Sequence, residues 1–533
     1  MNKTKIAAFL EKAGLGVVCV LSAAITFWLS LVSMLHTVTV EDIPEGKSIM
    51  SSLYYIRQDN ESVIYSNDSF FGNIIYLILS VAALYFLAKK LSNIRLRYKV
   101  LFIFVWTFLL GTIWVISSQS APTFDSFQVV SAAEGAAKND FSIFNNDDHY
   151  FKDYSFQLGY VFFLEIIMRA VNAVSKPENP LYLEVLNAFF LSVINVFVLL
   201  ITDLTVKNKK VTTALTLMLA LSFAPPVSCS FIYGIFPGMA FAIAALYCEL
   251  RYLMDDKFGF GIASVLLIAI AMTIKSNYLI WLIAMCLIAV VMMFKRKKMV
   301  LDCILMAVAV ILSFSLQPAV KSMYESRSGI DLGDSIPYAS WIAMGLCESN
   351  SAPGWFNYTH TTQVFHDNNY DADATAEKSK AVIAERLGYF AKNPQYRHDF
   401  FYKKLVSQWN ETSYESIWNN TVRGQYKEKN GFAAWVCGDG SAKVKKIMDI
   451  WTQLLFASFA VGIAVLFIKK NFPAMSLAVI FLGGFFYQLI SEGKSQYIVP
   501  YIIAMTGIAA CGIIFAGDRM SALLTKNNRS SDE

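Results

Sequence analysis

The sequence predicts an all-α polytopic membrane protein of about twelve transmembrane helices, and three observations carry that prediction. Of its 533 residues, 56% are hydrophobic and only 16% charged, against roughly 25% charged in an ordinary soluble chain. The mean hydropathy of +0.47 holds over the whole length, so the apolar residues are not confined to one anchor. Lys and Arg gather in alternate short loops, the asymmetry that orients membrane spans.

Apolar windows fall at 14–36, 72–88, 100–118, 183–206, 211–228, 232–250, 259–274, 278–294, 300–318, 449–468, 472–490 and 496–516. The first follows Lys3, Lys5 and Lys12, is too long for a signal-peptide core and has no A-x-A site after it, which makes it a permanent span. With the N-terminus inside, the inside loops carry Lys89, Lys90, Arg95, Arg97 and Lys99, then Lys207, Lys209 and Lys210, then Arg251 and Lys257. Residues 295–298 (KRKK), Lys469 with Lys470, and the tail with Arg519, Lys526 and Arg529 complete the set. Both termini are then cytoplasmic.

Segment 154–174 is apolar enough to be mistaken for a span and would break this parity. Its Gln157, Glu165, Arg169 and Asn172, with Lys176 just beyond, fall near one helical stripe, and Glu165 and Arg169 are spaced i,i+4. That pattern reads as a helix lying in the interface. Four units follow: a transmembrane hairpin with its outer loop (1–99), a transmembrane core including the outer loop 119–182 (100–318), an extracytoplasmic domain (319–447), and C-terminal helices with a cytoplasmic tail (448–533). In the domain, Asn393-Pro394 opens a capped helix and 371–393 is rich in Ala and charged helix formers, so it is expected to be small and mostly helical.

No Lys/Arg stripe tracks a phosphate backbone, no zinc-finger spacing occurs and there are five His in all, which excludes a nucleic-acid partner. The lipid bilayer is the partner that composition demands. Charges are nearly absent inside the spans, which argues against an ion-coupled transporter. They cluster instead at the outer span ends: Asp125 in SAPTFDSFQ, Lys275 in TIKSN, and Glu492, Lys494 and Tyr497 in ISEGKSQYIVPY.

Such a boundary suits an enzyme whose donor is a sugar on a lipid phosphate. The tail stays in hydrocarbon, the sugar faces out, and the phosphate needs cationic or hydrogen-bonding neighbours, for which Lys275, Lys494 and Tyr497 are suitable in type. A carboxylate such as Asp125 can deprotonate an acceptor hydroxyl, and a polyprenyl phosphate leaves without an acid. Each residue also has an ordinary account: Asp125 as a cap, Lys275 snorkelling to headgroups, Glu492 and Lys494 paired in an exposed turn. Glu165 and Arg169 are candidates for a pocket edge, or simply mark a membrane-surface element.

Within 319–447 stand Trp341, Trp355, Trp409, Trp418 and Trp435, platforms for sugar rings or packing of a small domain. Cys347 and Cys437 are the only cysteines expected outside the membrane, and an oxidising exterior would join them. The other six cysteines fall in apolar stretches. Metal ligands drawn from Asp147, Asp148 and His149, or from His366 and Asp367, match no strong spacing, a solvated acidic loop being the alternative; no organic cofactor is expected, and the sequence leaves a divalent metal open.

The order of features also resembles a known family. P-x-x-D follows an early span, then come an acidic outer loop with an interfacial helix, the FIYGIFPG and IKSNYLIWLIA stretches, the outer segment IPYASWIAMGLCESNSAPGWFNY, and a closing EGKSQYIVPY. Together these resemble the polytopic GT-C type glycosyltransferases, the group of protein O-mannosyltransferases and bacterial aminoarabinose transferases, and especially their Gram-positive cell-wall relatives. The likeness runs from about residue 100 onward. It implies a GT-C-like fold in a bacterial plasma membrane, a polyprenyl-phosphate sugar donor, and an extracytoplasmic acceptor such as a wall polymer, teichoic acid or surface glycan. It further implies an inverting transfer with Asp125 as base, and Lys275 and the Glu492–Tyr497 turn at the donor phosphate. The loop lacks the Asp-Glu pair of the O-mannosyltransferases, and an extra hairpin, 14–88, precedes the matching part; were that hairpin the true first pair, Glu41 and Asp42 would compete as base. The alternatives are a polymerase or ligase using a diphosphate-linked donor, a lipid-sugar flippase or transporter, and a non-catalytic scaffold.

Overall fold

A computed structural model describes residues 3–42, 61–145, 149–294 and 296–530. The chain is an all-α, multi-pass membrane protein: ten described helices are long and apolar enough to cross a bilayer, and the bent pair Lys209–Ala220 and Ala224–Ser230, which turns by 41°, makes eleven if it counts as one span. Each apolar window of the sequence falls on a helix of this bundle. Phe258–Ile274 is apolar but shorter than the ten, which do include Ser155–Val174.

Helices that carry no charge over five turns have only packing and backbone fit to hold them together, and the bundle uses small residues for this. Gly462 lies against the Ile508 carbonyl and Gly512 against the Ser458 carbonyl, so that Ser441–Ile468 and Val499–Ser530 meet backbone to backbone with no room for a Cβ. Val499–Ser530 is thereby the central helix, its apolar residues from Ile498 to Ile514 almost all buried. Gly111 makes a similar close approach to Ala188, joining Leu96–Ser118 to Leu181–Val206.

The long segments between spans pack against one another, and three boundaries differ from the sequence reading. Met299–Ser328 continues ten residues beyond the apolar window, through Pro318 and on to Arg327, and Ser441–Ile468 starts before the next window. Hydropathy marks where a helix leaves hydrocarbon, whereas hydrogen bonding decides where it ends, so the helical domain proper lies between these two helices. The hairpin loop also belongs to it. His36–Asp42 and Glu61–Asn67 form an antiparallel pair whose Val38, Val40 and Val63 pack with Ala352, Trp355, Val406 and Trp418 in one buried cluster. This strand pair was not foreseen, since a two-stranded ribbon gains stability from such packing rather than from its own sequence.

Six α-helices build the domain: Tyr338–Gly345, Thr362–Asp367, Ala372–Lys392, Pro394–Trp409, Ser416–Val422 and Gly431–Cys437. The Asp371 carboxylate accepts from Ala374 N at 2.9 Å and starts Ala372–Lys392, as the Ala-rich charged stretch suggested. Trp355, Trp409 and Trp418 are buried in packing, Trp341 is half-buried and Trp435 exposed.

Two expected features are corrected here. Cys347 and Cys437 are both free thiols: Cys347 sits in the turn after Tyr338–Gly345 beside Arg386, whereas Cys437 ends a helix beside Thr421 and Lys429. They belong to different packing units, and shared compartment alone does not make them neighbours. Glu41 is exposed on its strand, while the Asp42 side chain lies outside the described residues.

Candidate functional site

The site is assembled from four places where a helix stops at the domain face. At the end of Phe258–Ile274 the backbone of Lys275 turns extended (φ −151°) before a short 3-10 turn, and this break frees its side chain from the helix. The Lys275 ammonium donates to the Tyr233 carbonyl at 3.2 Å and stands 3.5 Å from the centre of the Tyr233 ring and 6.0 Å from that of Tyr497. Tyr233 is held by the next residue: Gly234 adopts φ +78°, packed against Tyr160 and Ile274, a conformation that a side chain would strain.

The second place is the turn 491–494. Its carbonyls are pinned by the domain: buried Lys404 donates to Ser491 O at 2.6 Å and to Gly345 O at 2.5 Å, Gln408 donates to Glu492 O at 3.4 Å, and Gly493 N donates to Gly354 O at 2.7 Å. Burial lowers the Lys404 pKa to about 7, against the nearby Glu492 charge. The Glu492 carboxyl is pushed up to about 7 by burial and by Glu415, in spite of Lys494 beside it. Lys494 pairs with Glu61 of the strand hairpin at 2.7 Å and lies 4.0 Å from Glu415. Burial opposes its charge, yet Glu61, Glu415 and Glu492 hold its pKa well above the ordinary value.

The third is a tight acidic turn that the sequence reading missed. The Glu411 carboxylate accepts from Ser413 N, Ser413 Oγ and Glu415 N, the last at 2.6 Å, and Ser495 Oγ bridges Glu411 and Glu415 at 3.0 and 3.2 Å. Tyr414 and Glu415 both carry positive φ, +51° and +58°. Two successive non-glycine residues in this region are costly and persist because Glu411 and Ser495 tie the turn down.

The fourth is Asp125, first residue of Asp125–Ala137, preceded by Phe124 at φ +51°. Ser126 Oγ donates to Ile232 O at 2.9 Å, which fixes this helix start beside Tyr233. Tyr233 and Tyr150 are buried and face Asp125; burial first, and the Asp125 charge second, raise both phenols well above their ordinary pKa.

These pieces enclose two adjoining cavities. The larger, of about 460 Å³, is lined by Lys275, Lys321, Asp334, Tyr338, Gln488 and Asn277, among others. The smaller, of about 130 Å³, is lined by Asp125, Glu415, Lys494, Gln496, Trp418 and Phe231, among others. Phe156, Tyr233, Trp341, Glu492 and Tyr497 belong to both and form the wall between them. A strap, residues 153–157, closes over the wall: Gln317 donates to Phe156 O at 2.8 Å, Ser155 N to Ser335 Oγ at 2.7 Å and Ile336 N to Asp153 O at 3.0 Å. The helix that follows is anchored at the same end, since Gly159 abuts the Thr273 carbonyl with no space for a Cβ.

Asp125, Lys275, Glu492, Lys494 and Tyr497, separated by up to several hundred residues in the chain, therefore share one pair of cavities. Glu165 and Arg169 do not. Glu165 is bound by Arg169 at 2.8 Å, by Arg327 at 2.7 and 2.9 Å and by the Tyr324 hydroxyl at 2.6 Å, a closed cluster that lines neither cavity. Its amphipathic stripe serves a protein contact with the extended end of Met299–Ser328 instead of a pocket edge. His366 donates or accepts toward Asp153 at 2.9 and 3.0 Å, while Asp147 and Asp148 lie outside the described residues. Among the described residues no group of three His, Cys, Asp or Glu converges to hold a metal ion. Glu61, Lys404, Glu411 and Glu415 escaped the sequence reading; the i,i+4 acids of NETSYES, flanked by hydroxyl residues, are the one signal that marked them. No family model matches this chain, and no curated protein does.

Proposed function

We propose that the protein is a GT-C-like membrane glycosyltransferase that moves one sugar from a polyprenyl-phosphate carrier to an extracytoplasmic acceptor, a wall polymer, teichoic acid or other surface glycan. The observation that carries this reading is the pair of cavities with a common wall, a lysine on one side and an aspartate on the other. In this reading the chain crosses twelve times, the basic loops and both termini are cytoplasmic in a bacterial plasma membrane, and Leu158–Val174 lies in the outer interface.

The donor phosphate sits in the larger cavity beside Lys275, its tail leaving into hydrocarbon. The acceptor hydroxyl enters the smaller one and, where the two cavities meet along their shared residues, gives its proton to Asp125 as its oxygen attacks the anomeric carbon. The new C–O bond forms as the bond to the phosphate oxygen breaks, with inversion. The phosphate departs as the anion that Lys275 stabilises, so one base suffices and no acid is required. Lys494, neutralised by Glu61 and Glu415, orders the Glu492–Tyr497 turn instead of meeting the phosphate.

A second reading, a polymerase or ligase with a diphosphate-linked donor, draws on Lys321, a further cation in the larger cavity, 3.7 Å from Glu325 and from Asp334. One experiment separates them: the protein in lipid, supplied with a panel of polyprenyl-phosphate hexoses, a matching panel of polyprenyl-diphosphate-linked sugars and a wall-glycan extract, compared with Asp125→Asn. Sugar release by wild type alone supports the monophosphate reading. Release only from diphosphate-linked donors moves it to the second, and no release by folded protein from either donor overturns both.

A further inference from the structure

Among the described residues three lysines line the two cavities, and they differ in what meets their charge. Lys494 pairs with Glu61 at 2.7 Å and has Glu415 at 4.0 Å, and Lys321 lies 3.7 Å from both Glu325 and Asp334. Lys275 differs: no carboxylate of the described residues forms an ion pair with it, and Asp125 and Glu492 act on it through space. Its ammonium stands instead 3.5 Å from the centre of the Tyr233 ring and donates to the carbonyl of the same residue at 3.2 Å. An aromatic face at that distance attracts a cation through its quadrupole.

Tyr233 is itself held in place. Its ring stacks on that of Phe231, with centres 5.1 Å apart and planes inclined by 24°, and the Arg423 guanidinium lies 4.2 Å from the centre of the Phe231 ring. Arg423 is 3% exposed and donates to Ser230 O at 2.6 Å, so it too is fixed. Lys275, Tyr233, Phe231 and Arg423 thus form one ladder, two rings between two cations. The chemical difference from an ion pair is simple. A carboxylate partner neutralises a lysine and must be displaced before a phosphate can take it, whereas a ring holds the ammonium and stays neutral. An ammonium has three N–H donors, and the Tyr233 carbonyl takes one of them.

We infer that Tyr233 is the positioning residue of an anion site in the larger cavity: its ring face holds the Lys275 ammonium without neutralising it, and a phosphate monoester entering there meets the whole charge. The Phe231 ring keeps the plane of Tyr233, and the Tyr233 hydroxyl has no part in the task. That the anion is the carrier phosphate rests on the transfer reading; that the ring positions the lysine does not.

The test reads binding apart from catalysis. The full chain in lipid nanodiscs is titrated at about pH 6, where Lys275 is charged, with polyprenyl-phosphate glucose and with the uncharged polyprenol of the same chain length. Wild type is compared with Tyr233→Phe, Tyr233→Leu, Phe231→Leu and Lys275→Met. Tyr233→Phe is expected to bind the phosphate lipid as wild type does, within about twofold, and Tyr233→Leu at least about tenfold more weakly. Phe231→Leu falls between them, and polyprenol binding is the same in all. Wild-type affinity in Tyr233→Leu overturns the inference, as does an equal loss in Tyr233→Phe, which assigns the effect to the hydroxyl. Should Tyr233→Leu lose polyprenol binding as well, its fold is damaged and Phe231→Leu decides: a loss confined to the phosphate lipid supports the inference, and no loss overturns it. Unchanged binding of the phosphate lipid by Lys275→Met also overturns it. Ring-dependent binding without transfer to any acceptor leaves the positioning role standing and removes the transferase.

Discussion

Two charged clusters stand at the same end of this helical bundle, and they differ in how their charges are spent. Around Glu165, Arg169, Arg327 and Tyr324 close on one carboxylate through four short hydrogen bonds, and nothing opens onto it. Around the wall of Tyr233, Glu492 and Tyr497, acids and lysines of similar number line two cavities instead. The first cluster fastens the Leu158–Val174 helix to the end of Met299–Ser328. The second keeps Asp125 and Lys275 on opposite sides of a largely aromatic partition, each open to a cavity. Charge at a span end is thus compatible with either role, and the completeness of its hydrogen bonding separates them.

The largest effect that sharpens this comparison is expected at Asp125. Asp125→Asn leaves the helix start intact and lowers sugar transfer by about 10² to 10⁴-fold, the range of a lost general base, with thermal unfolding unchanged. Glu165→Gln goes the other way. It leaves half-buried Arg327 facing a neutral amide, where losing a charge-assisted hydrogen bond costs about 1.5–3 kcal/mol, so the unfolding temperature falls while transfer per folded molecule is retained. Transfer assays normalised to folded protein, with thermal melts in nanodiscs, check both.

A smaller, graded effect concerns Lys275, whose pKa burial lowers to about 7 despite Asp125 and Glu492 nearby. Phosphate binding requires the charged form. Below about pH 7 the lysine is already protonated and donor affinity is flat; above it, binding must take up a proton, and Kd for a polyprenyl-phosphate hexose rises by up to about tenfold per pH unit. Lys275→Met weakens binding and removes the slope, which equilibrium titration between about pH 6 and pH 9 measures. The smallest effect is chemical: alkylation of denatured, unreduced protein labels Cys347 and Cys437 both, and mass spectrometry finds no linked peptide.

Much of the architecture was legible because hydrocarbon imposes it. Every apolar window falls on a helix, since a span must satisfy its own backbone. Asp125, Lys275, Glu492, Lys494 and Tyr497 stood out as polar residues at span ends for the same reason. What the chain order conceals is which of them are already paired. Lys494 reads as a cation for phosphate until Glu61, over four hundred residues away, is seen against it. Glu411 and Glu415 read as ordinary loop acids because the positive-φ turn that aims them depends on Ser495 from another element. The disulfide expectation failed because Cys347 and Cys437 are free thiols with different neighbours in the fold, which compartment and count do not encode.

The most direct test of the central claim sets the two clusters side by side: transfer from a polyprenyl-phosphate hexose and the unfolding temperature, measured together for wild type, Asp125→Asn and Glu165→Gln in the same nanodiscs. The account predicts that Asp125→Asn loses transfer at wild-type stability and Glu165→Gln loses stability at wild-type transfer per folded molecule. Full transfer by Asp125→Asn, or loss of transfer by a stably folded Glu165→Gln, would contradict it.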